Sequence, residues 1–211
     1  MRTGGAPHLG LSPLGEHEIG VASRLLGAAF RDNPMNRAVL GRRGPAARAR
    51  ANAVGLRAQL RMAVRHGRVV GAKERDELRG VLIALPPHAQ PPLLPPILER
   101  LRVVLLQGPI ASSRWALVAE RLQELRPIEL HWYLSILGVE APHRGRGVGS
   151  ELLAGFTEEA DREALPAYLE TDVESNIGFY ARAGFTVVGD MRVLGVRVWR
   201  LWRPAGRRKA A

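Results

Sequence analysis

The chain of 211 residues contains no cysteine. This absence excludes disulfide scaffolds, zinc–thiolate sites and cysteine nucleophiles, and we expect no metal site. No apolar run is long enough for a membrane span, because the best candidate, Pro91 to Ile110, is interrupted by prolines and charged residues. The first ten residues lack the charged and then apolar pattern of a secretory signal. By elimination, the sequence predicts a cytoplasmic protein that does not associate with membranes.

Aromatic residues and lysines are also scarce. Aromatic residues make up 5% of the chain, and lysine occurs only at Lys73 and Lys209, so the formal charge of +11 comes from arginine. Such a charge ordinarily suggests a nucleic-acid partner. Here the basic residues are spread along the chain and few side chains could stack on bases. We therefore expect no nucleic-acid partner and attribute the basicity to composition bias, with a nucleic-acid-binding protein as the weakest of three hypotheses.

The rest of the composition, with 46% hydrophobic and 24% charged residues, is typical of a globular protein. At this length roughly 70% of the surface of the unfolded chain can be buried, so one core suffices. We expect one domain over residues 1–211. The pattern divides it into an N-terminal half at 1–85, a proline-rich loop and helical insert at 86–128, a second half at 129–203 and a basic tail at 204–211.

Hydrophobic spacing predicts the elements of the N-terminal half. A short strand at Leu9–Leu11 precedes a helix whose N-cap we place at Ser12, before Pro13, and whose end we place at Asp32–Pro34. A second helix is predicted at Ala46–Val64. Two strands follow around a charged turn, at Arg68–Ala72 and Gly80–Leu85.

Six prolines between Pro86 and Pro96 separate this half from the rest of the chain. Two helices, a strand suited to burial on both faces, and a helix that follows a glycine-rich turn come next. A strand, a short helix stopped by Gly184 and two strands complete the prediction. These elements cover Ile97–Leu106, Ala111–Leu125, Glu129–Val139, Val148–Ala160, Ala167–Thr171, Ser175–Ala183, Phe185–Val188 and Val193–Trp202.

The most informative segment is the turn Arg144-Gly145-Arg146-Gly147-Val148-Gly149-Ser150, between a predicted strand and a predicted helix. Glycines at alternate positions let a ligand approach the backbone, and free N–H groups at a helix start attract an anion. A P-loop needs lysine where Gly149 stands, and a dinucleotide fingerprint needs glycine where Ser150 stands. The segment predicts an anion-binding turn of another type, with a turn that binds nothing as the alternative.

Two blocks of the sequence resemble the GNAT superfamily of acetyl-CoA-dependent N-acetyltransferases. The family's loop is Gln or Arg, two residues, Gly, one residue, then Gly or Ala, and Arg144, Gly147 and Gly149 match it. Leu137-Gly138-Val139 resembles the family strand that pairs with the pantetheine arm. The second block is similar to the segment that closes the cofactor site in the family, and it comprises Tyr168-Leu169-Glu170-Thr171, Asn176, Phe179-Tyr180 and Gly184-Phe185. The puromycin N-acetyltransferase branch is the most similar subgroup.

The resemblance implies an α/β fold with a mixed, mostly antiparallel sheet, splayed central strands and helices on both faces. Acetyl-CoA, the cosubstrate, would lie in the split, and the amine would enter from the other side, beneath the insert at 86–128. The implied cofactor-binding residues are Leu137, Gly138, Val139, Arg144, Gly145, Arg146, Gly147, Val148, Gly149, Ser150 and Asn176.

The resemblance also implies roles in catalysis. Tyr180 would protonate the departing thiolate, unless its ring only packs beneath the cofactor. Backbone N–H groups near Val139 would polarise the thioester carbonyl. Where some family members place a basic glutamate this chain has Tyr133, so Glu170, His131 or a chain of water molecules would replace it as the general base.

These observations predict an acetyl-CoA-dependent N-acetyltransferase that transfers the acetyl group directly to an amine, which we expect to be a small molecule. The alternative is an acyl-CoA-binding or regulatory module that has kept the loop and lost activity. The residues do not identify the acceptor amine, the preferred acyl group or the biological role, and homodimer formation stays open.

Overall fold

The computed structural model describes residues 9–89 and 96–206. Within these ranges the chain forms seven strands and seven α-helices, with short 3₁₀ turns between some of them. The strands are β1 (Leu9–Pro13), β2 (Arg68–Glu74), β3 (Glu77–Leu85), β4 (Trp132–Val139), β5 (Ala167–Thr171), β6 (Thr186–Val193) and β7 (Val196–Arg203). The α-helices are α1 (Ile19–Ala29), α2 (Pro34–Leu40), α3 (Pro45–His66), α4 (Ile97–Gln107), α5 (Pro109–Glu124), α6 (Val148–Arg162) and α7 (Asn176–Ala181).

The strands form one sheet in the order β1-β2-β3-β4-β5-β7-β6. All neighbours are antiparallel except β4 and β5, which are parallel. These two strands pair only at Trp132 with Ala167 and at Tyr133 with Tyr168. Beyond these pairs they diverge, which confirms the predicted mixed sheet with splayed central strands.

Helices cover both faces of the sheet. On one face α6 buries Leu152, Leu153 and Phe156 against the central strands. On the other face α1 and α3 contribute Leu26 and Leu60 to a separate core cluster. The predicted placement of helices on both faces is confirmed.

The helical insert packs on the same side of the sheet as α1 and α3. Ala111 and Val118 of α5 share a cluster with Val39 of α2 and with Val198 of β7. Leu201, three residues beyond Val198, belongs instead to the cluster beneath α6. Since alternate residues of a strand point to opposite faces, α2 and α5 lie over β7 on the face opposite α6.

The predicted N-cap at Ser12 is wrong. Ser12 and Pro13 continue β1 and pair with Gly71 and Val70, and the first α-helix begins only at Ile19. Proline is tolerated here because β1 is an edge strand, where a missing N–H group costs no ladder hydrogen bond.

Two other predicted boundaries also differ. The proline predicted to end the first helix, Pro34, starts α2, where its lack of an N–H group is no disadvantage. The last hairpin turns at Leu194–Gly195, where both residues have positive φ, and not near Gly189. Gly189 instead pairs with Arg200 within β6, next to a bulge at which Val188 is the extra residue.

Some predictions lie outside the described residues. They concern most of the proline-rich loop, at residues 90–95, and the end of the basic tail, from residue 207. In the described ranges, no helix is long and apolar enough to cross a membrane, and no group of three His, Asp or Glu side chains could hold a metal ion.

Candidate active site

The gap between β4 and β5 is widened by a bulge in β4. In the ladder with β3, Leu134 pairs with Ala84 and Ile136 pairs with Ile83, so Ser135 is an extra residue. A bulge bends its strand. From this point to Val139, the β4 edge on the β5 side carries main-chain groups without a ladder partner.

The three residues predicted to contact the pantetheine arm lie at the end of this edge. Leu137 and Val139 pack against the core beneath α6. Gly138 is buried against α1 on the other face, where a Cβ atom would overlap Leu26 Cδ2. Close packing against α1 therefore explains why residue 138 is glycine. The side chains of Leu137 and Val139 point into the core, and the main chain of this segment faces the gap.

The glycines of the predicted turn have different reasons to be glycine. Gly145 and Gly147 have φ of +75° and +87°, which favours glycine whatever the space around it. Gly149 has no such φ, and a Cβ atom there would lie 3.5 Å from Phe179 and Val139, an ordinary contact. Neither backbone conformation nor crowding requires glycine at 149, and its lack of a side chain leaves the backbone open to a ligand.

The turn ends at the N-terminus of the 15-residue helix α6. Gly147 is the N-cap and no side chain caps the helix. The first main-chain bond of the helix runs from Glu151 N to Gly147 O, at 3.0 Å. The N–H groups of Val148, Gly149 and Ser150 precede this bond, so the helix offers them no carbonyl partner and they suit an anion.

The two arginines of the turn behave differently. Arg144 donates from Nη2 to Ala29 O at 2.6 Å and from Nε to Val139 O at 3.3 Å. It thereby links the end of β4 to the end of α1. Arg146 is exposed and lines an open groove beside the turn with Arg75 and His143. Arg146 is thus the freer of the two cations for a phosphate.

Helix α7 brings the second sequence block against the first. Phe179 lies beside Gly149, and Asn176 is partly buried in the first turn of α7. Tyr180 is 7% exposed in the core beneath α6, with its ring edge-on to those of Phe179 and Phe185. Burial raises the pKa of Tyr180 above its usual range and Asp172 raises it further, so the phenol stays protonated.

Glu170 lies on the other face of the sheet. Its neighbour Leu169 packs beneath α6, whereas Tyr168 and Glu170 point to the opposite side. Burial raises the pKa of the Glu170 carboxyl, while Arg126 and the hydroxyls of two tyrosines, Tyr133 and Tyr168, act in the opposite direction. Such a carboxylate is a stronger base than an exposed one.

His131, the other candidate base, lies before the first β4–β5 pair. Its ring is 1% exposed, edge-on to Tyr168 and Trp202, and its Nδ1 lies 2.6 Å from Glu129 O. Burial lowers the pKa of His131. Glu170 comes after the last β4–β5 pair, so it is the candidate at the gap.

Comparison with known proteins finds a family model that matches part of the chain. Residues 110–185, which include the turn and the second block, match the model of the Acetyltransferase (GNAT) family. The chain contains a GNAT acetyltransferase domain. Its activity class is that of an acyltransferase of the N-acetyltransferase type, and the family implies transfer of an acetyl group from acetyl-CoA.

Solved structures share the fold at low sequence identity. The Corynebacterium glutamicum ATCC 13032 protein described as histone acetyltransferase HPA2 and related acetyltransferase is 20% identical, with a TM-score of 0.72 over 96% of this chain and 99% of that chain. Arylalkylamine N-acetyltransferase 2 from Aedes aegypti is 15% identical, with a TM-score of 0.60 over 94% and 99%. An N-acetyltransferase from Staphylococcus aureus Mu50 is 14% identical, with a TM-score of 0.58 over 92% and 99%. The predicted GNAT resemblance is confirmed, and the puromycin branch stays a prediction.

Sequence reasoning missed two anchors of the site in this GNAT domain. Asp172 accepts a hydrogen bond from Met35 N at 2.7 Å and so fixes the start of α2 to the end of β5. His143, which in the sequence looks like any surface residue, lies 3.0 Å from a Glu140 oxygen and 3.7 Å from a Glu74 oxygen. The contacts of Asp172 with Met35 and of His143 with Glu74 join distant segments, and no local pattern signals them.

Proposed function

We propose that the protein is an acetyl-CoA-dependent N-acetyltransferase that transfers the acetyl group directly to the amine of a small molecule. One observation carries the proposal: two titratable side chains, the buried Tyr180 and the partly buried Glu170, lie on opposite faces of the sheet. Tyr180 is in the core on the α6 face, and Glu170 is on the face of the helical insert. A proton donor and a proton acceptor on opposite sides suit transfer between two substrates that enter from opposite sides.

The residues around the gap fit acetyl-CoA. Gly149 leaves open the space that a side chain would fill, and the N–H groups of residues 148–150 suit the pyrophosphate. The main chain of Leu137–Val139 would pair with the pantetheine arm, and Asn176 would contact its amides. Arg146 adds attraction for the phosphates, and Arg144 holds the turn in place. When bound, acetyl-CoA supplies the activated acetyl group.

Tyr180 would be the general acid. Its raised pKa keeps the hydroxyl protonated throughout the neutral range, so the proton is available when the sulfur departs. The nearby carboxylate of Asp172 contributes, because a phenolate beside it would be unfavourable.

Glu170 would be the general base. Its carboxylate would take the proton that the amine loses when the new C–N bond forms. Burial makes it more basic than an exposed glutamate, and its pKa is thereby closer to neutral pH, where a base works best.

Amine-dependent thiol release tests this function. The protein is mixed with acetyl-CoA and a panel of primary amines, and free thiol is followed with a chromogenic disulfide. We expect release that requires both the protein and a particular amine. If acetyl-CoA binds and no amine raises thiol release above the background hydrolysis, the protein is the non-catalytic acyl-CoA module instead.

A further inference from the structure

Glu170 belongs to a group of charged and aromatic side chains, which we call the Glu170 cluster: Tyr133, Tyr168, Glu170, Arg126 and Arg200. The two tyrosines are buried and the three charged residues are partly buried. Arg126 follows α5, and its Cζ atom lies 3.9 Å from the centroid of the Tyr133 ring. Both arginines act electrostatically on the Glu170 carboxylate. The cluster therefore lies between the helical insert and the diverging part of β5.

Several polar atoms of this cluster are buried without a hydrogen-bond partner. They are Nε and Nη1 of Arg126 and Nε of Arg200, whereas the hydroxyls of Tyr133 and Tyr168 interact with the Glu170 carboxyl. A buried donor or acceptor left unpaired costs on the order of 1–3 kcal/mol, so native proteins keep few of them. Three such guanidinium nitrogens near one carboxylate indicate a place where another molecule completes the hydrogen bonds.

The charges of the cluster do not balance. Two guanidinium groups face one carboxylate, and burial lowers the pKa of the neighbouring His131, which therefore adds no positive charge. Arg200 donates from Nη1 to Leu125 O at 3.1 Å. Arg126 has two buried nitrogens without a partner and, among the described residues, no ion pair with a carboxylate. Arg126 is thus the guanidinium of the cluster with the most unused hydrogen-bond donors.

We propose that Arg126 binds a carboxylate of the acceptor, so that the natural acceptors are amines that also carry a carboxylate, such as amino acids. The inference rests on the proposed function, because it assumes that the acceptor amine meets Glu170. A guanidinium pairs with a carboxylate through two parallel hydrogen bonds. A single carboxylate balances the one excess positive charge, whereas a phosphate dianion would leave excess negative charge beside Glu170.

Matched acceptors test the proposal. Each amino acid of a panel is compared with its primary amide, which keeps the size and the amine and removes only the negative charge. We expect the wild-type protein to show at least a tenfold higher kcat/KM for the acid. Arg126→Gln should lower kcat/KM for the acid roughly 10- to 100-fold more than for the amide, mainly through KM, because any effect of Arg126 on Glu170 is shared by both acceptors. Equal use of both acceptors by the wild-type protein, or an equal loss for both in the variant, would overturn the proposal.

Equilibrium binding gives a second readout that needs no turnover. With CoA present, calorimetry should show that N-acetyl amino acids bind wild-type protein and bind Arg126→Gln at least tenfold more weakly. Arg121→Gln, at an exposed arginine of α5, is the control and should bind as wild type does. Arg126→Lys keeps the charge and should retain a reduced preference for acids, which covers the case of a poorly folded Gln variant. If binding depends on Arg126 but no thiol is released, the proposed function is rejected and the carboxylate site stands. If thiol is released equally from acceptors with and without a carboxylate, the proposed function stands and the carboxylate site is rejected.

Discussion

Glu170 is a partly buried carboxyl group that can cost the fold stability and still serve in catalysis. If it is the general base, activity needs its carboxylate form, so kcat/KM should rise with pH through the raised pKa of Glu170. Glu170→Gln should lose this rising limb and lower kcat by roughly 10²- to 10⁴-fold. The measurement is a pH–rate profile of thiol release with an accepted amine.

Glu174→Gln is the matched control, because Glu174 is exposed on the segment between β5 and α7. It should reproduce the wild-type profile. If Glu170→Gln keeps the wild-type pH dependence, the base is His131 or water.

The stability of the folded protein should follow the same carboxyl group in the opposite sense. Because burial raises the folded-state pKa of Glu170 above the ordinary value of 4.5, the protonated form favours folding. This contribution is complete below that ordinary value and is lost as pH rises through the raised pKa. The melting temperature of Glu170→Gln relative to wild type should therefore increase with pH across this window. A difference that decreases with pH would show that the arginines dominate and that the pKa is lowered.

Tyr180 should affect turnover and leave binding intact. A thiol is already a fair leaving group, with a pKa of about 8.5 for the cysteine model, so the loss of the acid should cost little. We expect Tyr180→Phe to keep the ring packing and the affinity for acetyl-CoA and to lower kcat by ~10²-fold. Steady-state kinetics and calorimetric binding decide the point. Unchanged turnover would make Tyr180 a packing residue, and a parallel loss of binding would make its hydroxyl structural.

Among the elements, the turn before α6 depends on backbone geometry. Gly147 and Gly195 both have a positive φ, +87° and +78°, and a Cβ atom at either would meet nothing within 4 Å. Alanine at either position should therefore cost a similar amount of stability, ~1–2 kcal/mol. Only Gly147→Ala should also weaken acetyl-CoA binding, because only this turn presents N–H groups to the phosphates. Equal affinities in the two variants, measured by calorimetry, would contradict the assignment of the turn.

The elements that the sequence predicts best are those whose signals are local. The strand Ala167–Thr171 and the left-handed Gly184 both follow from short patterns and are confirmed. Helix α2 does not follow from a short pattern, because a proline such as Pro34 can end one helix or begin another. The choice here depends on Asp172, which caps α2 from a position 137 residues away in sequence.

In the candidate site, too, the features with local signals were predictable from the sequence and those that depend on long-range contacts were not. The two motifs predicted the anion-binding turn, the short helix α7 and Glu170 as a candidate base. These predictions were possible because residue types and their spacing are visible in the sequence. The partners of Glu170 were not predictable, since Arg126 and Arg200 reach it only through the packing of the insert and β7. Charge balance around a buried group is a property of the fold.

At the scale of the whole molecule, much of the positive charge has internal partners. Arginines donate to main-chain carbonyls that end or join elements: Arg43 to Gln107, Arg48 to Arg43, Arg114 to Ala38, Arg144 to Ala29 and Arg203 to Ala183. Such contacts fix the helical insert, α1 and β7 in place. The formal charge of +11 therefore includes arginines that hold elements together as well as arginines on the surface. It does not by itself indicate a polyanionic partner.

The central claim is that acetyl-CoA binds at the turn between β4 and α6, and calorimetric titration of Gly149→Asp with acetyl-CoA tests it most directly. Aspartate near a helix start favours the helix, and the added Cβ atom makes only ordinary contacts, so the variant should fold. Its carboxylate would occupy the space meant for the pyrophosphate and repel it. Gly44→Asp, at the N-cap of α3 with open space around it, is the matched control. We predict wild-type affinity in Gly44→Asp and no detectable binding in a folded Gly149→Asp protein, whereas unchanged affinity in Gly149→Asp would contradict the account.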